Sequence, residues 1–359
     1  MNSSIISIGL ANPGKPIPQQ AIAGFMKKAH GLDEVEGRKL NFLYRKSGID
    51  SRHSVLEDFD KSHPKDFTFF PTSEDLEPFP STNARMNVFA EAAPKLGIEA
   101  VNDCLGKANI KPDEISHLIL VSCTGMTAPG VELVLMQELG LADSVERYCV
   151  HFMGCYAAFT GLKLADKIVR ADPDSKVLLV SIELCTIHFQ KEYVEDHILA
   201  NSLFADGAAA ALITGDNQGL KIRSYLSHLL RGGAQDMAWS IGDFGFEMRL
   251  SKYIPSLLEN GIHDLKQIFE QYFNLSKVKN YAIHPGGKQI LSKVQESFGL
   301  DEGVNSHALE VLRNFGNMSS ATILFVLARM MEDPQIEGDI LAMGFGPGLT
   351  LETLLLEKS

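Results

Sequence analysis

The chain has 359 residues and a formal net charge of −12, and hydrophobic residues make up 45% of it. This apolar fraction is typical of a globular protein, and the length favours two core-bearing halves or one large α/β unit. The acidic balance argues against nucleic acid or an anionic membrane as the main partner. Residues 1–14 have no basic segment before their short apolar run, and no apolar run is long enough to span a membrane. We therefore expect a cytoplasmic protein.

The cysteines form no recognisable disulfide or metal pattern. They are five in number and include no C-x-x-C pair, which argues against both a disulfide framework and a zinc site. The HPGGKQ segment has Gln289 where a phosphate-binding loop needs Ser or Thr, and GFGPG at 344–348 lacks the last glycine of a dinucleotide fingerprint. We therefore expect neither a metal nor a nucleotide cofactor.

Short apolar runs alternate with helical stretches along the chain. In chain order, the predicted elements are a strand at 117–123, a helix after Cys155, strands at 176–184 and 207–214, a strand at 281–284, a helix after Asn317, and strands at 338–345 and 348–356. Such alternation is typical of an α/β protein, and strands that are apolar throughout indicate a sheet covered on both faces. The order of elements is the same in both halves.

A single numerical offset relates the two halves. Subtracting 162 superimposes YAIHPGG at 281–287 on ILVSCTG at 119–125, Asn317 on Cys155, and GDILAMGF at 338–345 on KVLLVSIE at 176–183. Three segments that share one offset indicate a duplicated βαβαβ unit, with halves at 1–216 and 217–359 and an insertion near 186–203 in the first half. If the halves pack face to face around the two equivalent helices, Cys155 and Asn317 line one cavity.

Three polar residues in these segments form a coherent set for acyl transfer. Cys155 precedes an apolar helix, whose free backbone amides stabilise a thiolate. His284 ends a strand before a Pro-Gly-Gly turn, and it is expected to hold that thiolate as an ion pair; Asn317 brings two N–H donors for a developing oxyanion. Taken singly, each residue has a structural alternative as a core thiol, a satisfied histidine or a helix cap. The shared offset of Cys155 and Asn317 favours the catalytic interpretation.

Four segments carry a resemblance to a known family. GCYAAFTGLKLA, YAIHPGGKQIL, GNMSSATILFVL and GFGPGLTLETLLL resemble the signature segments of type III polyketide synthases, the chalcone and stilbene synthase family, with a bacterial-like pattern. The resemblance implies a thiolase-like α/β fold, with duplicated βαβαβ halves in an αβαβα layered arrangement. It also implies a homodimer that uses coenzyme A thioesters and no other cofactor.

The same resemblance implies a reaction. A starter acyl group from an acyl-CoA is loaded on Cys155, malonyl-CoA is decarboxylated beside His284 and Asn317, and the resulting enolate extends the chain. The polyketide then cyclises to a resorcinol, pyrone or naphthalene-type product. Starter, chain length and ring closure are left open by the sequence.

Further residues are assigned by the resemblance alone. Phe204 matches a gatekeeper phenylalanine, and a second wall residue falls at Phe246 or Met248. Cys123, Ala128 and His188 stand at pocket or dimer-contact positions where plant members have other residues. The residues expected near the coenzyme A phosphates are Arg45, Lys46 and Arg52. Structural alternatives remain: Phe204 as a core aromatic, Cys123 as an inert core thiol, and the basic cluster as a solvated helix face.

Two other functions are compatible with the residues. A condensing enzyme like ketoacyl-acyl carrier protein synthase III shares the Cys, His and Asn set, but it docks an acidic carrier protein through a basic patch that this composition does not indicate. A non-catalytic thiolase-fold partner that only binds acyl groups would typically lack the cysteine. GFGPGLT at 344–350 favours the polyketide synthase.

Overall fold

The computed structural model describes residues 3–230, 237–250 and 268–358. The helices are α1 Gln19–Ala29, α2 Glu34–Lys46, α3 Thr82–Ala108, α4 Val131–Leu139, α5 Ala157–Ala171, α6 Glu195–Leu203, α7 Lys288–Phe298, α8 Ser306–Phe315 and α9 Thr322–Glu332. The strands are β1 Ser4–Ala11, β2 Ile17–Pro18, β3 Ser51–Arg52, β4 His117–Ser122, β5 Glu146–His151, β6 Val177–Leu184, β7 Asp206–Thr214, β8 Leu220–Leu229, β9 Met237–Gly242, β10 Gly245–Leu250, β11 Asn280–Ile283, β12 Gly338–Gly346 and β13 Thr350–Lys358. In this part of the chain no helix is both long and apolar enough to cross a membrane.

Nine strands form one central sheet in the order β11-β12-β13-β8-β1-β7-β6-β4-β5. In the first half β4 runs parallel to β6, which pairs antiparallel with β7; in the second half β11 runs parallel to β12, which pairs antiparallel with β13. The halves meet where β1 pairs with β8 at Ser4–Lys221 and Ile5–Leu220. The α/β class predicted from the alternation of elements is therefore confirmed.

The offset of 162 also relates the secondary structure of the two halves. It carries β4 onto β11, β6 onto β12, and the start of α5 onto a 3₁₀ turn, Ser319–Ala321, that leads into α9. The expected boundary between 216 and 217 falls in the bend that joins β7 to β8. Each half thus repeats the same arrangement of strand, helix and strand.

Helices α5 and α9 lie at the centre of the molecule. Helix α5 packs against β4 and β6 of its own half and β13 of the other, while α9 packs against β11 and against β1 and β7 of the first half. Gly161 permits the close approach of α5 to β6, because a Cβ there would lie 2.5 Å from Leu179 Cδ1. Helix α3 covers β1, β6 and β7 from the opposite face. This arrangement fits the layered fold that the sequence predicts.

The halves differ in how their strands are connected. Residues 185–205, which include α6, join β6 to β7, whereas the three residues 347–349 join β12 to β13. The long connection contains the predicted insertion near 186–203. Strand β5 extends the sheet in the first half, and the offset carries it into helix α8 in the second. The first half therefore contributes additional residues around the candidate active site.

Candidate active site

Cys155 lies in the turn that precedes α5 and is 7% exposed. Gly154 makes this turn possible with a φ of +82°, in the left-handed region that favours glycine. The Ala157 N–H donates to the Gly154 carbonyl at 2.9 Å, which starts the first turn of the helix. The thiol is therefore held beside the N-terminus of a buried helix.

His284 and Asn317 are positioned by backbone hydrogen bonds from neighbouring elements. The His284 N–H donates to the Met343 carbonyl at 2.8 Å, which continues the parallel pairing of β11 with β12. The Asn317 N–H donates to the Leu203 carbonyl at 2.9 Å, and its side-chain Oδ1 accepts from the Ser319 N–H at 2.9 Å. Both side chains are 2% exposed. Each is fixed at the end of a buried element.

The structure brings these three residues to the wall of one cavity. We call it the catalytic cavity, and it is lined by Cys155, His284, Asn317, Phe204, Met248 and Phe345, with Gly286, Ile290 and Pro347 among its other lining residues. The two halves contribute the cysteine and the His–Asn pair respectively. A thiol, an imidazole and a carboxamide therefore share a small and mainly apolar space.

Burial sets the protonation of the two titratable groups in this cavity. It raises the pKa of the Cys155 thiol to about 12, against the opposing effect of hydrogen bonding by Ser319. It lowers the pKa of His284 to about 4. Neither ring nitrogen of His284 has a hydrogen-bond partner among the described residues. The thiol and imidazole are both neutral here, so the thiolate–imidazolium pair remains a prediction for the working enzyme.

Comparisons with known proteins identify the family. The chain matches chalcone and stilbene synthases, N-terminal domain, over residues 2–217, and the C-terminal domain of the same family over residues 221–359. The chain belongs to the chalcone and stilbene synthase family. The predicted identification as a type III polyketide synthase, an acyltransferase-type condensing enzyme, is thereby confirmed.

Named relatives agree with this assignment. The chain is 31% identical over 339 residues to the alpha-pyrone synthesis polyketide synthase-like Pks18 of Mycobacterium tuberculosis, covering 91% of this chain and 84% of that protein. It is 28% identical to type III polyketide synthase A of Arabidopsis thaliana, covering 99% and 93%. It is also 28% identical to probable polyketide synthase 1 of Dictyostelium discoideum, but covers only 11% of that much longer protein.

Solved structures confirm the fold. The C-terminal type III polyketide synthase domain of Steely1 from Dictyostelium superimposes with a TM-score of 0.92 at 27% identity, covering 100% of this chain and 99% of that one. PKS-I from the brown alga Ectocarpus siliculosus gives a TM-score of 0.92 at 28% identity, covering 100% and 98%. The thiolase-like fold expected from the sequence is therefore correct.

A buried carboxyl in this polyketide synthase was not singled out from the sequence. Glu183, fully buried at the end of β6, accepts from the Cys123 N–H at 3.0 Å and from Thr124 Oγ1 at 2.8 Å, and its other oxygen accepts from Ser320 Oγ. Burial raises its pKa. Glu183 thus ties the end of β4 to the turn before α9. The available signal was a lone acidic residue in the apolar run KVLLVSIEL.

The three predicted wall residues take different places. Phe204 and Met248 both line the catalytic cavity, but Phe246 does not. Phe246 instead stacks on His188, with ring centroids 4.2 Å apart and planes 9° apart. Of the two candidates for the second wall residue, Met248 is the one that lines the catalytic cavity together with Cys155.

His188 joins strand β10 to the end of β4. Its Nε2 donates to the Thr124 carbonyl at 2.7 Å, and its Nδ1 accepts the Phe246 N–H at 2.9 Å. Burial lowers its pKa to about 3, so the ring is neutral. Trp239, the single tryptophan of the chain, adds a third link by donating its indole N–H to the Cys123 carbonyl at 2.7 Å. Trp239 was missed in the sequence, where its rarity was the only signal.

Cys123 lies beside the predicted nucleophile. The residues that line a small adjoining cavity, here called the thiol cavity, include Cys123, Cys155, Cys185, Phe204, Trp239 and Met248. The Cys123 sulfur accepts the Gly154 N–H at 2.9 Å, and burial raises the pKa of its thiol well above the usual value. Cys123 is therefore a protonated thiol that supports the Gly154 turn.

Ala128 lies outside all of these cavities. It is exposed on the loop between β4 and α4, next to Met126, which is 42% exposed. This loop is exposed at the surface of the single chain. A contact of Ala128 with a second subunit remains a prediction.

The three basic residues predicted near coenzyme A are separated by the fold. Lys46 lies on a surface groove, the lysine groove, which Lys39 and Lys288 also line. The lysine groove shares Leu250, Gly286 and Ile290 with the catalytic cavity. Arg45 is exposed and is not among the residues lining the groove. Arg52 is only 3% exposed, so its burial argues against contact with a phosphate at the surface.

Lys39 and Lys288 were missed in the sequence. Lys39 lies on the same helix as Lys46, about two turns earlier, so the two are on one face. Lys288 begins α7, directly after the turn that follows His284. Helical spacing gave a signal for Lys39, but the placement of Lys288 depends on the packing of the two halves.

Proposed function

We propose that this type III polyketide synthase loads a starter acyl group from an acyl-CoA onto Cys155, extends it by decarboxylative condensation with malonyl-CoA, and cyclises the product. The single observation that carries the proposal is the convergence of Cys155, His284 and Asn317 on one apolar cavity. Thiol nucleophile, base and oxyanion donor are the parts that acyl transfer needs.

Loading begins with the neutral pair. His284 takes the thiol proton as Cys155 Sγ attacks the starter thioester carbonyl, and it returns that proton to the coenzyme A sulfur as the old C–S bond breaks. The unpartnered ring nitrogens of His284 support this role, because they are free to bond with Cys155 or with the substrate. The product of the step is an acyl-Cys155 thioester and free coenzyme A.

Extension uses His284 and Asn317, which come from the second half of the chain. The malonyl carboxylate leaves as CO₂, and its bonding electrons form an enolate whose oxygen accepts hydrogen bonds from His284 and from Asn317 Nδ2. The apolar walls Phe204 and Met248 leave the carboxylate poorly solvated, which favours its loss. The enolate carbon then attacks the acyl-Cys155 carbonyl, and the cysteine leaves as a thiolate. The extended chain is now attached to coenzyme A.

The coenzyme A moiety fits the lysine groove better than any site on Arg52. Lys46 and Lys288 offer ammonium groups for its phosphates, and Lys39 adds a third that is ion-paired with Glu36 at 2.7 Å. The groove adjoins the catalytic cavity through Gly286 and Ile290. Arg45 lies on the neighbouring surface of α2. Assembly as a homodimer through the Ala128 loop, in the cytoplasm, is part of the same proposal.

The test is mass spectrometry of the products. The purified protein is incubated with malonyl-CoA alone and then with acetyl, medium-chain, long-chain and aromatic acyl-CoA starters. We expect a polyketide whose mass reports the starter and the number of extensions, and whose formation is lost in Cys155→Ala. Cys149→Ala, which removes an exposed free cysteine, is the matched control and should retain product formation.

Two outcomes would replace the proposal. Product formation only when malonyl-acyl carrier protein is supplied would instead identify a condensing enzyme like ketoacyl-acyl carrier protein synthase III. No product and no decarboxylation with either donor would indicate a non-catalytic acyl-binding partner. The ring type, whether resorcinol, pyrone or naphthalene, is read from the fragmentation pattern of the product.

A further inference from the structure

The carboxyl end of helix α6 leads directly into the catalytic cavity. Phe204 follows the last residue of the helix and lines that cavity. The last hydrogen bond within the helix joins the Phe204 N–H to the Ala200 carbonyl at 3.1 Å. The carbonyls of a final helical turn have no partners inside the helix, and buried carbonyls need donors from elsewhere. The donors at this helix end therefore determine where the cavity wall lies.

Four donors from different parts of the fold satisfy these carbonyls. Three are side chains of α1, α2 and β3, and the fourth is a backbone N–H of the second half. The Asn201 carbonyl accepts from the Tyr44 hydroxyl at 3.0 Å, Ser202 from Gln19 Nε2 at 2.8 Å, Leu203 from the Asn317 N–H at 2.9 Å, and Phe204 from Arg52 Nη1. The end of α6 is therefore held by segments that are distant in the sequence.

The three side-chain donors also bind one another, and we call Gln19, Tyr44 and Arg52 the α6 clamp. Arg52 Nε donates to Gln19 Oε1 at 2.8 Å, and the guanidinium also forms a hydrogen bond with the Tyr44 side chain. None of the three is more than 3% exposed. Burial raises the pKa of Tyr44 to about 12, so its hydroxyl keeps the proton that it donates. Removing one member therefore leaves buried polar groups unpaired.

The segment held by the α6 clamp fixes Asn317 from both sides. The Asn317 N–H is bonded to α6, and its carbonyl accepts the Ala205 N–H at 2.9 Å, so that Asn317 pairs with Phe204 in a short parallel bridge. Arg52 also packs against the preceding residue, since a Cβ on Gly316 would lie 2.8 Å from Arg52 Cγ. The backbone position of Asn317 therefore depends on the end of α6.

Other elements fix the remaining two residues of the proposed mechanism. Cys155 follows Gly154, whose N–H donates to the Cys123 sulfur at 2.9 Å, and His284 is held by the pairing of β11 with β12. A displaced end of α6 would therefore shift Asn317 relative to His284. These are the two groups whose hydrogen bonds must converge on one oxygen.

We propose that the α6 clamp is a set of positioning residues for malonyl-CoA decarboxylation, and that it places Asn317 Nδ2 and the Phe204 ring where the enolate forms. This inference rests on the proposed function, in which the enolate oxygen accepts from Asn317. A misplacement of about 1 Å in a catalytic group costs on the order of a hundredfold in rate. Loss of the clamp thus slows decarboxylation more than it slows starter loading.

Arg52 variants test the centre of the clamp. In Arg52→Met, kcat for CO₂ release from malonyl-CoA should fall about tenfold to a hundredfold. KM should change little, because the coenzyme A moiety is assigned to the lysine groove. Arg52→Lys should recover part of the rate, since its ammonium can bond the Phe204 carbonyl but lacks the planar fork that bridges the other clamp members. An unchanged kcat in folded Arg52→Met overturns the proposal.

Starter loading is the readout that separates positioning from a general loss of structure. Acylation of Cys155 is followed by intact-protein mass spectrometry with acetyl-, octanoyl-, palmitoyl- and benzoyl-CoA, without malonyl-CoA. Loading should fall by a smaller factor than decarboxylation, because it needs Asn317 only for a hydrogen bond to the thiol. Losses in the same proportion overturn the positioning role.

A milder variant keeps the test decisive if Arg52→Met does not fold. Tyr44→Phe keeps the ring and removes only the hydroxyl, so CO₂ release should fall about threefold to tenfold. Tyr148→Phe is the matched control, since it removes a hydroxyl that donates to Glu146 at 3.0 Å on the edge strand β5, and it should match the parent. Equal rates in the two tyrosine variants overturn the proposal.

The parent enzyme distinguishes the two ways of failing. A parent that releases no CO₂ from malonyl-CoA contradicts the proposed function, and the positioning role with it. A parent that is active, with clamp variants that keep its rate of decarboxylation, leaves the proposed function standing and overturns only the role of the α6 clamp.

Discussion

The two halves of the molecule place different chemistry on the same scaffold. Gly154 and Gly316 stand at equivalent positions and both have positive φ, +82° and +72°. Each is followed by a residue of the catalytic cavity, a cysteine in the first half and Asn317 in the second. At the strand ends, Ser122 of β4 corresponds to His284 after β11. The repeated backbone fixes where these side chains lie, and the side chains themselves differ: a thiol, the proposed nucleophile, in the first half and a carboxamide, the proposed oxyanion donor, in the second.

The halves also differ in polarity near the ends of two equivalent strands, β6 and β12. Glu183 on β6 corresponds to Phe345 on β12. Glu183 gathers hydrogen bonds from Cys123, Thr124 and Ser320, whereas Phe345 is an apolar wall of the catalytic cavity. The first half therefore uses this position for a rigid polar network, and the second uses it to exclude water.

The proposed division of roles predicts that variants in the two halves lose different activities, decarboxylation in one case and condensation in the other. His284→Gln should slow malonyl-CoA decarboxylation about 10²–10³-fold, the effect of removing one oxyanion donor. Cys155→Ala should retain decarboxylation yet lose condensation, because the enolate forms without the thiol. Released CO₂ and polyketide are measured in parallel with malonyl-CoA. Equal loss of decarboxylation in both variants would contradict a split between the halves.

The polar network should make the first half more sensitive to truncation. Glu183→Ala removes the acceptor of the Cys123 N–H and of the Thr124 hydroxyl and opens a void, so we expect a loss of about 3–5 kcal/mol in the free energy of unfolding. The equivalent Phe345→Leu should lose about 1 kcal/mol, since it stays apolar. Urea titration compares them. Similar losses for the two would show that Glu183 is not structurally special.

The two glycines sharpen the comparison further. Alanine at either position adopts a strained positive φ. At Gly154 the new Cβ would also lie 2.1 Å from Cδ of the rigid Pro347 ring, whereas at Gly316 the contacts are less close, 2.8 Å to Cγ of the buried Arg52 side chain and 3.0 Å to the Leu203 carbonyl oxygen. We expect Gly154→Ala to lose about 2–4 kcal/mol and Gly316→Ala about 1–2 kcal/mol. Thermal unfolding of both variants tests the order, and the reverse order would refute it.

Acid should destabilise the protein through His284. Burial lowers its folded-state pKa to about 4, so between roughly pH 6.5 and 4 the unfolded chain binds a proton that the folded chain does not. The contribution of neutral His284 to the free energy of unfolding is therefore fully present above pH 6.5 and is lost as the pH falls. From pH 7 to 5, His284→Gln should lose about 2 kcal/mol less than the parent. The exposed His63→Gln is the control and should follow the parent; a parallel curve for His284→Gln would exclude the effect.

The sequence predicts the repeated part of the site well. Cys155, His284 and Asn317 belong to segments that share one offset, so a duplicated fold forces them into corresponding places. Their meeting in one cavity follows from the packing of α5 and α9 between the halves. Residues that obey the repeat are therefore accessible to sequence reasoning.

Residues outside the repeat were harder to place. Arg52 precedes the first repeated strand, and its burial against Phe204 depends on how α1 and the 185–205 connection pack. Trp239 lies in the β9–β10 hairpin, which pairs only with itself and not with the central sheet in the described residues. Helical or strand periodicity in the sequence does not predict such contacts, because they join segments that are distant in the chain.

The strand order also constrains how the chain is built in time. Strand β1 pairs with β7 at 206–214 along its whole length and with β8 beyond it. A ribosome adding about 5–20 residues per second needs roughly 10–40 s to deliver β7 after β1 has been made. During that interval both edges of the apolar strand β1 lack their strand partners. Its first partner in the nascent chain is the covering helix α3, which packs on β1 and is finished about 100 residues before β7.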